Sequence, residues 1–434
     1  MSLWQVSRAC SIVLALLGCL LFVPNARAAG ARIHFTEFRL PTNCGNAKNG
    51  GCAPGALARG TDGALWFVEM EGKRIGRITT DGKIQEFPVP VFPYHLVFGP
   101  DGNVWFTDSA SHIGRMTLQG QTTLFEVPTD SAGLSSITVG PDNNLWFTEQ
   151  GGNAVGKITL DGEITEYPLA PPSNGPRSII SGFDSNLWFT MFYTNKIAKM
   201  TVNGEITEYL IPNSEFEQCG SSCFPDSLTR DLDGRMWFAE TGRNWVSYIT
   251  ITGEFQQFDL GPSSVYPNSM RLTLGPGGAI WFADENERLG TITPRGKFKI
   301  YPLELECGAR QCGMGSIAWG PDLNVWFTEW HGNQIGRLQC EPRLQSPPNG
   351  ARLGQARVTF KWESSPCARH YGFEVRQDSP QGKIVHYAKY VKGNQIKFDL
   401  ARGHDYYWFV SACGWSCKSE TGMFSIVARR SGAE

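Results

Sequence analysis

The sequence predicts an all-β protein: a seven-bladed β-propeller closed by its own N-terminal strand, followed by a small β-sandwich. Three observations predict it. A Trp-Phe core recurs seven times at intervals of about forty residues. Turn signals divide each repeat into four short strands. The last repeat lacks a fourth strand, and the N-terminus carries an unpaired one of matching pattern.

The core appears as Leu65-Trp66-Phe67, Val104-Trp105-Phe106, Leu145-Trp146-Phe147, Leu187-Trp188-Phe189, Met236-Trp237-Phe238, Ile280-Trp281-Phe282 and Val325-Trp326-Phe327. A turn such as Gly99-Pro100-Asp101-Gly102-Asn103 precedes it, Pro and Asp-Gly supplying the backbone angles of a tight hairpin. Ahead of the turn lies a short apolar strand, such as Ser136-Ile137-Thr138-Val139. Behind the core come an I-G-R strand (Ile75-Gly76-Arg77, Ile113-Gly114-Arg115, Ile335-Gly336-Arg337) and an alternating strand such as Ile164-Thr165-Glu166-Tyr167. Four short antiparallel strands per unit make one blade. A turn at Gln150 to Asn153 would set Phe147 opposite Gly156, whose missing side chain leaves room for the ring.

The seventh repeat stops at Leu338-Gln339-Cys340. Ile33-His34-Phe35-Thr36-Glu37-Phe38 matches the missing fourth strand, and pairing it there removes two exposed sheet edges. Residues 32–340 are thus the propeller, and Glu341 to Gly350 reads as a linker. Within 351–430, Val358 to Trp362, Tyr371 to Val375 and Tyr406 to Ala412 are strands rich in aromatic and β-branched residues. Leu400 followed by Tyr406 resembles the tyrosine-corner spacing of fibronectin type III domains, with Trp362 as the core tryptophan. That resemblance implies a spacer or adhesion module, and a possible protein partner through this domain.

The N-terminus has one positive charge before an apolar stretch from Ser11 to Val23, then Ala26-Arg27-Ala28: a signal peptide over residues 1–28. The stretch is short of the roughly 20 residues that span a bilayer, so no membrane span remains after cleavage. Cleavage removes Arg8 and Arg27 and no acid, leaving 37 basic against 41 acidic residues, a balance that argues against nucleic acid as partner. Ten cysteines remain, an even number suited to an oxidising compartment. Cys44/Cys52, Cys219/Cys223, Cys307/Cys312 and Cys413/Cys417 are tight local pairs, which leaves Cys340 with Cys367. Their loops lack the clustered thiolates or histidines of a metal site. The absence of an N-x-S/T sequon favours a bacterial periplasmic or secreted protein, read here as a monomer.

The succession G-P-D-G-N-x-W-F-T-E, then N-x-I-G-R-I-T, then D-G-x-I-T-E-Y-x-x-P resembles the virginiamycin B lyase (streptogramin lyase) family over all seven repeats. The resemblance implies magnesium-dependent elimination that opens a cyclic depsipeptide, needing a base and an acid-ligated metal on one face of the ring. Carried onto this chain, the last-blade histidine position is Gly315, its companion glutamate Gly313, and a second glutamate position Trp330. The sixth-blade histidine position falls at Asn268 or Met270. None matches, so the resemblance implies the scaffold without the usual catalytic groups.

Other positions are candidates. The W-F strand ends in an acid in six repeats: Glu69, Asp108, Glu149, Glu240, Asp284 and Glu329, with Met191 the exception. These acids either form a carboxylate ring around a divalent cation near the axis or bond to backbone of their own or the next blade. His95, in Pro93-Tyr94-His95-Leu96, stands at an inner-strand start as a displaced base, a ligand contact or a surface histidine. Arg177 and Asp226 occupy the corresponding starts in blades four and five, and Tyr94, Glu285, Trp330 and His331 border the same face. Three of the cysteine pairs lie in the fourth-to-first-strand loops of that face, which they either shape into a rigid binding surface or merely brace. No G-x-S-x-G, H-E-x-x-H or phosphate-loop motif occurs in a suitable context. The leading expectation is capture of a small molecule, peptide or glycan on this loop face, with no cofactor required. The competing one is a lyase with a rearranged site, using His95 with Glu285 or Asp284 around Mg²⁺; the third is a scaffold for a protein partner.

Overall fold

The computed structural model describes residues 35–42, 44, 51–172, 174–212, 223–261, 269–275, 278–303, 305, 312–340, 342–348, 350–354, 357–380, 382–413 and 424–427. The signal-peptide reading lies outside these residues. Each W-F segment is the second strand of a four-stranded antiparallel sheet, as in Pro93–Phe98, Val104–Asp108, His112–Met116 and Thr122–Glu126. There are seven such sheets. The inner strands touch all the way round, Pro54–Arg59 meeting both Pro93–Phe98 and Met314–Trp319, so the blades form a closed ring. Phe35–Arg39 is the fourth strand of the last blade, with Phe35 opposite Leu338 and Arg39 opposite Gln334.

The repeated tryptophan is tied at two points. Trp105 donates its indole N–H to the turn carboxylate of Asp101 at 3.1 Å and stacks on Phe125, ring centroids 5.7 Å apart. Trp326 does the same with Asp322 at 2.9 Å, and its stacking partner is Phe38 of the N-terminal strand at 5.5 Å. Closure therefore supplies the last blade with the aromatic pair that the others build from their own fourth strands. Blade six has Gly275-Pro276-Gly277-Gly278 where the acid would stand; Trp281 keeps its stack on Tyr301, but its Nε1 has no partner among the described residues.

The expected register holds: Phe147 lies opposite Gly156, and a Cβ there would sit 2.1 Å from Phe147 Cζ. Ala198 and Ser247 take this position in blades four and five. A second close contact joins blades. Gly82, at φ +89°, leaves space for Phe38, a Cβ falling 2.2 Å from the ring, and the outer-turn Gly296 meets Phe258 in the same way.

Blade seven has no outer hairpin turn, because its fourth strand comes from the other end of the chain. At the Tyr301 edge the C-terminal region takes the vacant place and Tyr301 is buried: it donates its hydroxyl to the Pro366 carbonyl at 3.3 Å, and Cys340–Cys367 bridges the junction with Cα atoms 5.2 Å apart. Beyond it, a three-stranded sheet (Leu344–Ser346, Arg357–Trp362, Gln395–Asp399) faces a five-stranded one (Ala351–Arg352, Phe424–Val427, Asp405–Cys413, His370–Gln377, Ile384–Val391). Phe360, Trp362, Phe373, Val375, Tyr406 and Trp408 fill the space between them. Tyr406 donates its hydroxyl to the Ala401 carbonyl at 2.9 Å, so the tyrosine ties the loop that follows Leu400.

Truncating Phe38 to Ala should cost roughly 2–3 kcal/mol, because one aromatic then leaves Trp326 and Gly82 at once. Thermal unfolding compared with Phe258→Ala checks whether the closing blade is as dependent on its aromatic as an internal blade. Gly156→Leu should lower the melting temperature markedly, since even a Cβ at that position would meet the Phe147 ring.

Candidate functional site

Six inner strands carry a β-bulge at their start, and bulges re-aim side chains. The residues at and after the bulge line a well of about 190 Å³ on the axis, at the end of the ring where the fourth-to-first-strand loops gather. Tyr94, His95, Arg177, Asp226 and Trp330, all singled out from the sequence, converge there. Blade six alone has no bulge: Met270 pairs with Asp284 and Arg271 with Ala283 without a register shift. Met270 is accordingly buried in the blade, and Arg271 enters the well. Of the two sequence candidates for the sixth-blade position, Met270 does not line the well and Asn268 lies outside the described residues; Arg271 takes the place.

The well is electrostatically organised around Asp226. Its Oδ2 accepts from Arg271 at 2.6 Å and stands 3.5 Å from Arg177, while Oδ1 accepts the Ser227 N–H at 2.7 Å. Burial works to raise the Asp226 pKa, but Arg271 and Arg177 outweigh it and hold the carboxyl below its ordinary value. Arg177 also lies over the Phe192 ring at 4.6 Å. For Arg271, burial is outweighed by Asp226, Tyr94 and Glu285, so its guanidinium stays firmly charged.

His95 occupies a position with a structural role in other blades. Ser178, Ser227 and Ser316 use their hydroxyl oxygens to accept the N–H of Leu228, Leu272 and Leu57 on the next inner strand. His95 does this with Nδ1, which accepts the Ile137 N–H at 3.4 Å. That contact places the ring proton on Nε2. Burial, then Arg271, push its pKa down to about 4, with Asp226 opposing, so the imidazole is neutral at physiological pH. His95 is half-buried and lines the narrow well.

Trp330 fills the seventh-blade side of the well. A Cβ on Gly315 would lie 1.9 Å from the Trp330 Nε1, so the indole stands where any side chain at 315 would begin. His331 packs instead on Gly313, outside the well lining. Glu285 reaches Arg271 electrostatically.

The six strand-end acids are buried in their own blades. Asp108 accepts the N–H groups of Ala110 and His112, and Asp284 those of Asn286 and Arg288 together with the Arg288 guanidinium. Glu240 pairs with Arg243. The Asp284 oxygens thus anchor a turn. The one compact group of sulfur and carboxylate donors among the described residues is Cys44, Cys52 and Glu69, and its two sulfurs are joined in a disulfide.

Glu69, Glu149 and Glu329 differ from the other three. Burial, then the charges of Glu86, Glu166 and Glu37 respectively, raise them to about 8, about 7 and about 8. Glu86 and Glu166 meanwhile accept the N–H of Thr42 and Thr129 in the loops of the well face.

Those loops are latched. Cys52, Cys223 and Cys312 precede inner strands at equivalent positions, and each donates its N–H to a turn residue of the preceding blade: Asn333, Asn195 and Glu287. Cys44–Cys52 is a disulfide with Cα atoms 5.0 Å apart, and Cys223 and Cys312 are disulfide-bonded. Cys219, Cys307, Cys417 and the side chain of Cys413 lie outside the described residues.

Fold and site together define a seven-bladed β-propeller with a polar axial well walled by inner-strand bulges. A family model described as the virginiamycin B lyase family matches residues 27–227 and 93–348, and the chain belongs to that family. A streptogramin B lyase structure is 30% identical, with a TM-score of 0.63 over 71% of this chain and 97% of that one. A catalytically inactive virginiamycin B lyase from Staphylococcus aureus, with quinupristin, is also 30% identical, with a TM-score of 0.62 over 71% and 99%. Virginiamycin B lyase of Nocardia farcinica is 40% identical over 57 residues, which span 12% of this chain and 20% of that protein.

The family implies magnesium held by acids beside a histidine base. At the corresponding positions Gly313, Gly315 and Trp330 offer no carboxylate or imidazole, and the indole fills the space above Gly315. These residues do not fit the ion.

The raised acids predict the pH response. The folded protein binds the Glu69 proton more tightly than the unfolded chain does, so its contribution is complete below the ordinary value of 4.5 and is lost as pH rises through about 8. Glu69→Gln should therefore raise the melting temperature at about pH 8.5 and leave it nearly unchanged at about pH 4. Calorimetry of both proteins at the two pH values checks it.

Proposed function

We propose that this chain is an exported binding propeller that captures a small molecule, peptide or glycan in its axial well and does not run the family's elimination. The observation that supports the reading best is Trp330 lying over Gly315, which puts an aromatic wall where the family's chemistry needs a base and metal ligands. A side chain of this kind suits a ligand held by contact. Arg177, Asp226 and Arg271 supply polar groups opposite it.

Disulfides at Cys44–Cys52 and Cys340–Cys367 point to an extracellular or periplasmic protein. Among the described residues no helix is long and apolar enough to cross a membrane. The leader over residues 1–28 supports export through a signal peptide, and the C-terminal sandwich, with its tied Tyr406, supports a fibronectin type III-like spacer.

The test is incubation of the purified protein with cyclic depsipeptides such as quinupristin, first with MgCl₂ and then with EDTA, followed by mass spectrometry. No elimination product is expected. A metal-dependent product that His95→Ala abolishes would establish a rearranged lyase site instead. In parallel, a panel of peptides and oligosaccharides should contain ligands that raise the melting temperature of the native protein and leave Trp330→Ala unaffected.

A further inference from the structure

The donor and acceptor inventory of the well is lopsided. Arg271 spends one side-chain hydrogen bond on Asp226, and Arg177 stands at 3.5 Å from the same oxygen. A guanidinium carries five N–H donors, so most of theirs open on the well, where 23% and 18% of the two side chains are exposed. Nε2 of His95 has no partner among the described residues, and with Nδ1 committed as acceptor it carries the proton. Both oxygens of Asp226, the one acid among the described residues that line the well, are already engaged. Leu57, Leu96, Leu228, Leu272 and Ile317 supply apolar surface around these donors.

Two guanidinium forks and an imidazole N–H donor lining one well match a carboxylate, whose two oxygens can be shared between them. We propose that the well takes the carboxylate of an amphipathic ligand, the C-terminal residue of a peptide, with Arg177 and Arg271 donating to its oxygens and Trp330 against its apolar part. The proposal rests on the reading of the well as a ligand site. Asp226 aligns the two forks and prevents their mutual repulsion. Glu285, near Arg271, is a built-in competitor for that guanidinium. Recognition therefore rests on directed N–H groups and not on an excess of positive charge.

N-acetyl-leucine, N-acetyl-leucinamide and galacturonate, titrated calorimetrically into the full chain, test this. The acid should bind at least about tenfold more tightly than the amide, the loss expected for a charge-assisted hydrogen-bonded group. Glu285→Gln should tighten the acid and leave the amide unchanged, a gain that general destabilisation cannot mimic. The charge-balanced pair Asp226→Asn with Arg271→Ala avoids a buried unpaired carboxylate and should bring the acid down to the amide. Galacturonate binding in place of N-acetyl-leucine would keep the clamp and assign the acid to a sugar. Acid and amide bound alike, both lost in Trp330→Ala, would overturn the carboxylate while leaving the well a ligand site. No binding of any of the three would count against both.

Discussion

The structure depends on the way each blade immobilises one tryptophan. Its face is held by an aromatic two strands away in every blade, and in six of the seven its N–H is held by the carboxylate of the preceding turn, so hairpin geometry and blade width are set by a single side chain. Except in blade six, the aromatic also covers a turn glycine of the next blade, which turns an intra-blade contact into an inter-blade one. Ring closure is then more than the pairing of a spare strand. Phe38 completes a blade on one side and a seam on the other.

Very little of this polar apparatus is available for chemistry. The strand-end acids look like a converging ring when read along the sequence, yet they spend themselves on local turns or remain buried beside outer-strand glutamates. Repetition favours such uses, because a group that solves a problem of the blade is needed in every blade. The repeats disagree at the inner-strand starts, where Tyr94, Arg177 and Asp226 line the well.

The fold was legible because its signals are local and repeated: the W-F cores, the Pro-Asp-Gly turns, the Phe147–Gly156 register and the matching strand at the N-terminus all read directly from the chain. Five well residues were legible as departures from the repeat, Tyr94, His95, Arg177 and Asp226 at inner-strand starts and Trp330 just after a W-F strand. Arg271 was not, because counting residues from the W-F core assumes a bulge, and blade six has none. The serine-like role of His95 was hidden for another reason: its partner Ile137 belongs to the next blade. The junction at Tyr301 and Pro366 likewise needed the three-dimensional view, since only the vacant outer turn of blade seven explains why the C-terminal region packs there.

The straight sixth strand bears on how such rings diversify. Deleting one residue there leaves the blade intact, because the ladder simply closes up, but it exchanges the side chain presented to the axis, burying a methionine and delivering an arginine. Six neighbouring strands keep the rim in place while this happens. Strand length in a single blade thus works as a selector independent of residue identity, and a lineage could move from one ligand chemistry to another by gaining or losing a codon at one bulge.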